Sequence, residues 1–240
     1  MEPHQTPTGS GLRGQHLCLL AHRFPDIQAK CSDLETRAKA AGLSINASKT
    51  KAMRIRHSHQ SKITICGKIV EYVDSSVYLG TVISANGGVE KVMENRLSKA
   101  RSAFGRLQRI WRNQQISRKT KLRIFNTCMK SVLLYVSETW LTSQRKIVKL
   151  QAFVNKCLRI ICGIFWPNRI TNNDLWRCTN EAPIQQQIKR KKWKWIGHAL
   201  RKDRDSIVRM ALEWNPQGSR RVGRLKLTWR RSTVRELAEQ

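Results

Sequence analysis

Acidic side chains are scarce in this chain: 16 Asp and Glu stand against 46 Lys and Arg in 240 residues, a formal charge of +30. So little negative charge cannot neutralise the surface internally, and a compact fold of this charge attracts polyanions by releasing their condensed counterions. Long apolar runs are also missing. The N-terminal stretch Leu17 to Ala21 is far too short to span a bilayer, and Met1 to Ser10 lacks the basic start and apolar stretch of a signal peptide. An intracellular protein, nuclear or cytoplasmic, without a membrane partner is expected. The seven cysteines (18, 31, 66, 128, 157, 162, 178) form no CxxC pair, which fits reduced thiols. Cys157, Cys162, Cys178 and His198 are the set to test for zinc, but their gaps match no common finger spacing, so no metal site is expected. His57 and His59 share a strand face with no third ligand near in sequence and read as solvated. The chain has no Gly-rich loop before Lys-Ser/Thr, no GxSxG and no HExxH, and its acids are scattered.

What is present can fold. Apolar residues make up 40% of the chain, with eight Trp, enough for one sizeable core or two smaller ones. The charge is unevenly placed. Residues 1–86 hold 11 basic and 6 acidic side chains, and residues 87–240 hold 35 and 10. The second part is therefore where a polyanion would bind.

Periodicity changes twice along the chain. Ile27, Cys31, Leu34, Ala38 and Ala41 recur at helical spacing and Gly42 supplies a left-handed cap, predicting a helix over 26–41. Strands are predicted at Lys51–Arg56, at Ile63–Ile65 and Ile69–Val73 around a Cys66-Gly67-Lys68 hairpin, and at Val77–Ile83, before Asn86-Gly87-Gly88 ends the sheet. Three helical stripes follow. They run from Val89 to Trp111, from Leu122 to Trp140 and from Ile147 to Ile161, and their short connections favour a three-helix bundle. The first stripe occupies about an 80° sector at 100° per residue, and Arg96, Lys99, Arg106, Arg109 and Arg112 lie outside its centre, a face suited to phosphates.

Beyond Trp166-Pro167 a basic, Trp-bearing helix is predicted over Ile184–Leu200, carrying Lys191, Lys192, Trp193 and Lys194. A loop-rich tail follows with Arg224, Lys226, Trp229, Arg230 and Arg231. Interleaved Trp and Arg can stack bases and pair phosphates. The same indoles, Trp195 and Trp214 above all, can equally form the core of a small appended domain.

The order of segments is also informative. Asp33-Leu34-Glu35, Gly42-Leu43-Ser44-Ile45-Asn46, Lys49-Thr50-Lys51 with Met53, and Tyr78-Leu79-Gly80 resemble the end of the palm in LINE-type (non-LTR retrotransposon) reverse transcriptases. Leu134-Tyr135 with Glu138-Thr139-Trp140, Trp195-Ile196-Gly197-His198 with Leu200-Arg201, Trp214-Asn215-Pro216 and Trp229-Arg230-Arg231 resemble the thumb and C-terminal region of the same polyproteins. The resemblance covers roughly 17–240. It implies a mainly α, α+β chain divided into a non-homologous or disordered N-terminus (1–16), a palm remnant of one helix and a small antiparallel sheet (17–86), a thumb-like bundle (87–165) and a basic C-terminal region (166–240). It implies that Lys49 matches a lysine near the incoming nucleotide, that Tyr78, Leu79 and Gly80 match the primer grip, and that RNA, DNA or their hybrid is the partner.

One departure bears on chemistry. The family carries an aromatic-Ala-Asp-Asp segment directly before the Leu-x-Leu-Leu-Ala-His stretch, and those carboxylates hold two magnesium ions. Here Leu17-Cys18-Leu19-Leu20-Ala21-His22 is intact but is preceded by Arg13, Gly14, Gln15 and His16, which supply no carboxylate for a hard cation. The family's Gly-Arg-Pro-Lys reads Gly223-Arg224-Leu225-Lys226. The expectation is a truncated C-terminal part of an RNA-directed DNA polymerase that binds template–primer, lacks the catalytic Asp pair, has no cofactor of its own and lacks its upstream half. Two alternatives stay open: a standalone sequence-tolerant nucleic-acid-binding protein, and an inert remnant of a decayed mobile element.

Overall fold

The computed structural model describes residues 17–55, 61–78, 81–85, 89–213 and 228–238. They form a mainly helical α+β chain divided into two compact units, one N-terminal to residue 89 and one from Val89 onward.

In the first unit, α1 (Phe24–Ala40) starts with Pro25 in its first turn, where a missing N–H costs nothing, and Asp26 there and Arg37 and Lys39 in the last turn complement the helix dipole. Gly42, at φ +69°, allows the N–H of Leu43 to reach Ala38 O at 2.8 Å and that of Gly42 to reach Lys39 O at 3.1 Å. This is the glycine cap the sequence predicts.

The strands are shorter than expected and make three two-stranded ladders instead of one antiparallel sheet. β1 (Lys51–Ala52) runs parallel to β4 (Glu71–Tyr72), and β2 (Thr64–Ile65) is antiparallel to β3 (Lys68–Ile69). Cys66 and Gly67 both have positive φ, the backbone that a two-residue hairpin turn requires. The stretch predicted as one strand over 77–83 is a hairpin. β5 (Ser75–Tyr78) pairs antiparallel with β6 (Thr81–Ser84) in the register Tyr78↔Thr81, so the alternating run divides between two strands. Backbone groups of the β2–β3 hairpin are satisfied by α1. Gln28 accepts from Thr64 N and donates to Thr64 O, both at 3.0 Å, and Glu35 accepts from Cys66 N at 2.6 Å. The core here is thin: Cys31, Ala52, Ile65 and Val70, with Leu19, Ile27, Ile45, Ile63 and Tyr72 partly buried against it.

The second unit opens with α2 (Val89–Arg106), which breaks at Leu107 before the short α3 (Gln108–Arg112). The break turns Trp111 back so that its indole stacks on Phe104 (centroids 4.9 Å apart) and donates to Phe104 O at 2.8 Å. The second predicted stripe is also divided. α4 (Arg118–Ile124), capped by Ser117 Oγ on Thr120 N, passes into a π-helical turn (Phe125–Lys130) and then α5 (Ser131–Leu133). Val136 is left-handed at φ 58°, and a 3-10 turn (Ser137–Thr139) delivers Trp140 to the core. The third stripe holds over its whole length. In α6 (Gln144–Cys162) Ile147, Leu150, Val154, Cys157 and Ile161 are all buried, and Gly163 at φ 69° ends the helix.

α7 (Asn172–Thr179) and α8 (Ile184–Leu200) share this core through Leu175, Ile184 and Ile188. Polar groups fix the join. Buried Asn155 accepts from Gln151 at 2.8 Å and from the Trp176 indole at 2.9 Å, and Gln151 accepts from Ile184 N at 2.7 Å. α9 (Ile207–Glu213) and α10 (Trp229–Ala238) complete the described chain. No described helix is long and apolar enough to cross a membrane.

Candidate nucleic-acid interface

The α2 stripe decides which cations face outward. Met93, Leu97 and Ala100 are buried, so the opposite side of the helix meets solvent and carries Lys99 and Arg106 exposed. α3 continues this surface with Arg109 and Arg112, also exposed. No carboxylate pairs with any of these four among the described residues, so their field is uncompensated by close acids. α4 adds exposed Arg118, Lys119 and Arg123. Their angles relative to Leu122 do not announce this, since Arg118 lies only about 40° from it at 100° per residue.

Arg96 is a correction. It is 7% exposed and its guanidinium lies 4.2 Å from the centroid of the Tyr135 ring. At 100° per residue it falls only about 20° from the stripe positions of Val89 and Leu107, so it belongs beside the core and reaches an aromatic face there.

α8 divides its cations in the same way. Lys191 and Lys194 are exposed, and Lys191 Nζ donates to Leu134 O at 3.0 Å. Lys192 is not on the surface. It is 1% exposed, lies in register with Ile184, Ile188, Ile196 and Ala199, and its ammonium meets Glu236 of α10 at 2.9 Å. Trp193 is half-buried, with its indole N–H enclosed and unpartnered. Trp229 is packed instead of presented. Its indole donates to Glu138 O at 2.9 Å and its ring meets Trp195 edge-on at 5.9 Å. Trp195 is itself half-buried in this contact. Arg230 and Arg231 are exposed, and Arg230 bonds Leu212 O.

In the first unit, Lys49 is exposed on a turn whose amide is held by Asn46 Oδ1 at 3.1 Å, and Tyr78 is half-buried at the end of β5. Leu79, Gly80, Arg224 and Lys226 lie outside the described residues, as do His57, His59 and Trp214.

The cysteines do not converge. Cys162 and Cys178 are neighbours whose side chains interact, whereas Cys157 lies inside the core and His198 is exposed. No group of three or more His, Cys, Asp or Glu among the described residues is placed to hold a metal ion. Burial pushes the Cys157 thiol up to about 12, with Lys156 pulling weakly the other way, and burial also raises Cys31 and Cys162. At pH 8, alkylation of the native protein is expected to modify exposed Cys18, Cys66, Cys128 and Cys178 and to spare Cys157 until the chain unfolds. The sign for stability follows. The unfolded thiol ionises from its ordinary 9.0 and the folded one does not until about 12, so the Cys157 contribution is lost as pH rises across that interval. Mass spectrometry of pulse-alkylated protein checks the labelling, and rapid native labelling of Cys157 would show the core is open.

In comparison with known proteins, this basic helical chain is similar to a protein described as transposon-derived. It is 24% identical over 233 residues to a transposon-derived protein of Caenorhabditis elegans whose own function is uncharacterised, covering 92% of this chain and 82% of that one. A family profile described as a domain of unknown function (DUF6451) matches residues 103–135, from the end of α2 through α5. No solved structure matches the chain. The long similarity to a transposon-derived protein supports a mobile-element origin.

Proposed function

We propose that the chain is the palm-end, thumb and C-terminal portion of a non-LTR retrotransposon reverse transcriptase, binding template–primer nucleic acid without polymerase chemistry of its own. The observation that carries this reading is the exposed, acid-free cation face formed by Lys99, Arg106, Arg109 and Arg112 on the far side of a buried stripe. The transposon-derived relative adds a context in which such a face meets nucleic acid. Arg96 and Lys192 are not part of that face, being buried, and α4 and α8 carry further exposed cations.

Two measurements test it. Binding to an RNA–DNA hybrid should weaken steeply with salt, with a log–log slope of roughly −5 or steeper, and a slope near zero defeats the electrostatic reading. Primer extension on an RNA template should be undetectable with magnesium or manganese, because Arg13, Gly14, Gln15 and His16 stand where the metal-holding Asp pair is needed. Changing Gln15 and His16 to Asp should not restore it, since the first-motif carboxylate would still be missing. Template-dependent extension by the unaltered chain overturns the absence of chemistry.

A second reading has its own support. The first unit leaves Leu17, Leu20, Ile55, Ile69 and Val77 more than half exposed around a core of four buried residues. Such a unit suits a remnant in which the helical part alone retains a use.

A further inference from the structure

The turn between α6 and α7 presents an exposed aromatic pair. Trp is a large side chain whose burial dominates cores, yet Trp166 is 76% exposed and its neighbour Phe165 is 60% exposed. Both lie between two anchored points, since Ile164 and Ile170 pack against the core. The guanidinium of Arg159 ties the far end by donating to Ile170 O at 3.4 Å and to Asn172 Oδ1 at 2.8 Å. The aromatic pair is therefore held outward by a fixed frame. The guanidinium of Arg169 covers one face of the Trp166 ring at 4.5 Å from its centroid. With three quarters of the side chain in solvent, the other face is open.

From this we infer that the α6–α7 turn is a stacking site for an unpaired base of a single strand, with Trp166 as the platform and Arg169 as the cation beside it. The inference rests on the nucleic-acid reading above and names a ligand class for a surface outside the α2–α3 face. Charge selects this occupant over an apolar protein partner. Lys156, Arg159, Arg169 and Arg177 surround the turn in sequence against a single acid, Asp174, which already bonds Arg177 and Thr171. A π-face bordered by cations is what successive bases and phosphates of a single strand meet in sequence-tolerant sites. A frame already held in place also leaves little ordering cost on binding.

The test compares Trp166→Ala, Trp166→Phe and Arg169→Gln in the full chain, by anisotropy titration with a labelled oligo-dT strand and a blunt hairpin duplex. Trp166→Ala should lose roughly tenfold in single-strand affinity at every salt concentration, leaving the salt slope, the duplex affinity and the melting temperature unchanged. Trp166→Phe should keep most of the affinity. Arg169→Gln should make the single-strand slope shallower by about 0.7. If the wild-type chain binds but Trp166→Ala stays within twofold of it on the single strand, the stacking site is refuted while the nucleic-acid reading stands. Equal losses on both ligands, or self-association of the wild type that Trp166→Ala abolishes, would also refute it, the latter marking a protein contact. A wild-type chain that binds neither ligand at low salt refutes the nucleic-acid reading itself.

Discussion

Glu236→Ala is expected to cost about 3–5 kcal/mol, more than any surface change in this chain, because it leaves the Lys192 ammonium enclosed without a counter-charge. Lys192 cannot leave easily. It lies on the buried side of α8 between Ile188 and Ile196, and Trp229 covers it with its ring centroid 6.0 Å from Nζ. α10 has ten residues and would be marginal in isolation, so losing this contact also releases the helix. Hydrogen exchange over 229–238 should therefore accelerate together with the drop in stability. The reverse change should also destabilise. Lys192→Met takes the cation from Glu236, whose side chain is 12% exposed and whose Oε2 is enclosed without a partner. The double variant Lys192→Met/Glu236→Leu should recover most of the loss, as apolar replacements of buried pairs commonly do. Denaturant unfolding of the wild type and these variants measures each loss, and a Glu236→Ala variant within 1 kcal/mol of wild type would show that the pair is solvated.

This pair also marks where sequence reasoning reaches its limit. α6 was fully legible, since five apolar residues at helical spacing and a closing Gly163 fix its stripe and its end. So was α1, whose Gly42 cap follows from the only residue that adopts positive φ without strain. The long second stripe was not. Helical spacing continues through Val132, Val136 and Trp140, but a π-turn at 125–130 and a left-handed Val136 shift the phase, and no local signal announces either. The alternation over 77–83 predicts one strand where β5 and β6 pair, because side chains alternate in both arrangements. For the interface, charge together with the apolar sector of about 80° marks the exposed cations of α2 and α3, whereas Arg96 lies too near the edge of that sector and Lys192 is marked by its charge without its angle. Both sit at core angles on their helices, and each found a partner there, Tyr135 for one and Glu236 for the other. The partner of Lys192 is 44 residues away, a distance no periodicity can read.

Replacing Lys99, Arg106 and Arg109 together by Glu should lower affinity for duplex and hybrid on the order of a hundredfold or more, for all sequences alike. Each of the three is exposed, with no described carboxylate partner, so the wild-type charge is available to phosphate and the substituted charge repels it. Removing three phosphate contacts should also make the log–log salt slope shallower by about 3, since each contact contributes close to 0.9 on a duplex. Folding should be spared. The buried side of α2 is Met93, Leu97 and Ala100, and none of the three changes touches it, so the melting temperature should move little. Changing Arg96 to Glu is the opposite case: a carboxylate replaces a cation seated on the Tyr135 ring at 7% exposure, so stability should fall while the salt slope of the remaining folded protein stays put. The two variants thus separate a cation that meets solvent from one that meets the core. If the triple variant binds hybrid as tightly as wild type with an unchanged slope, the phosphate path does not run along α2 and α3.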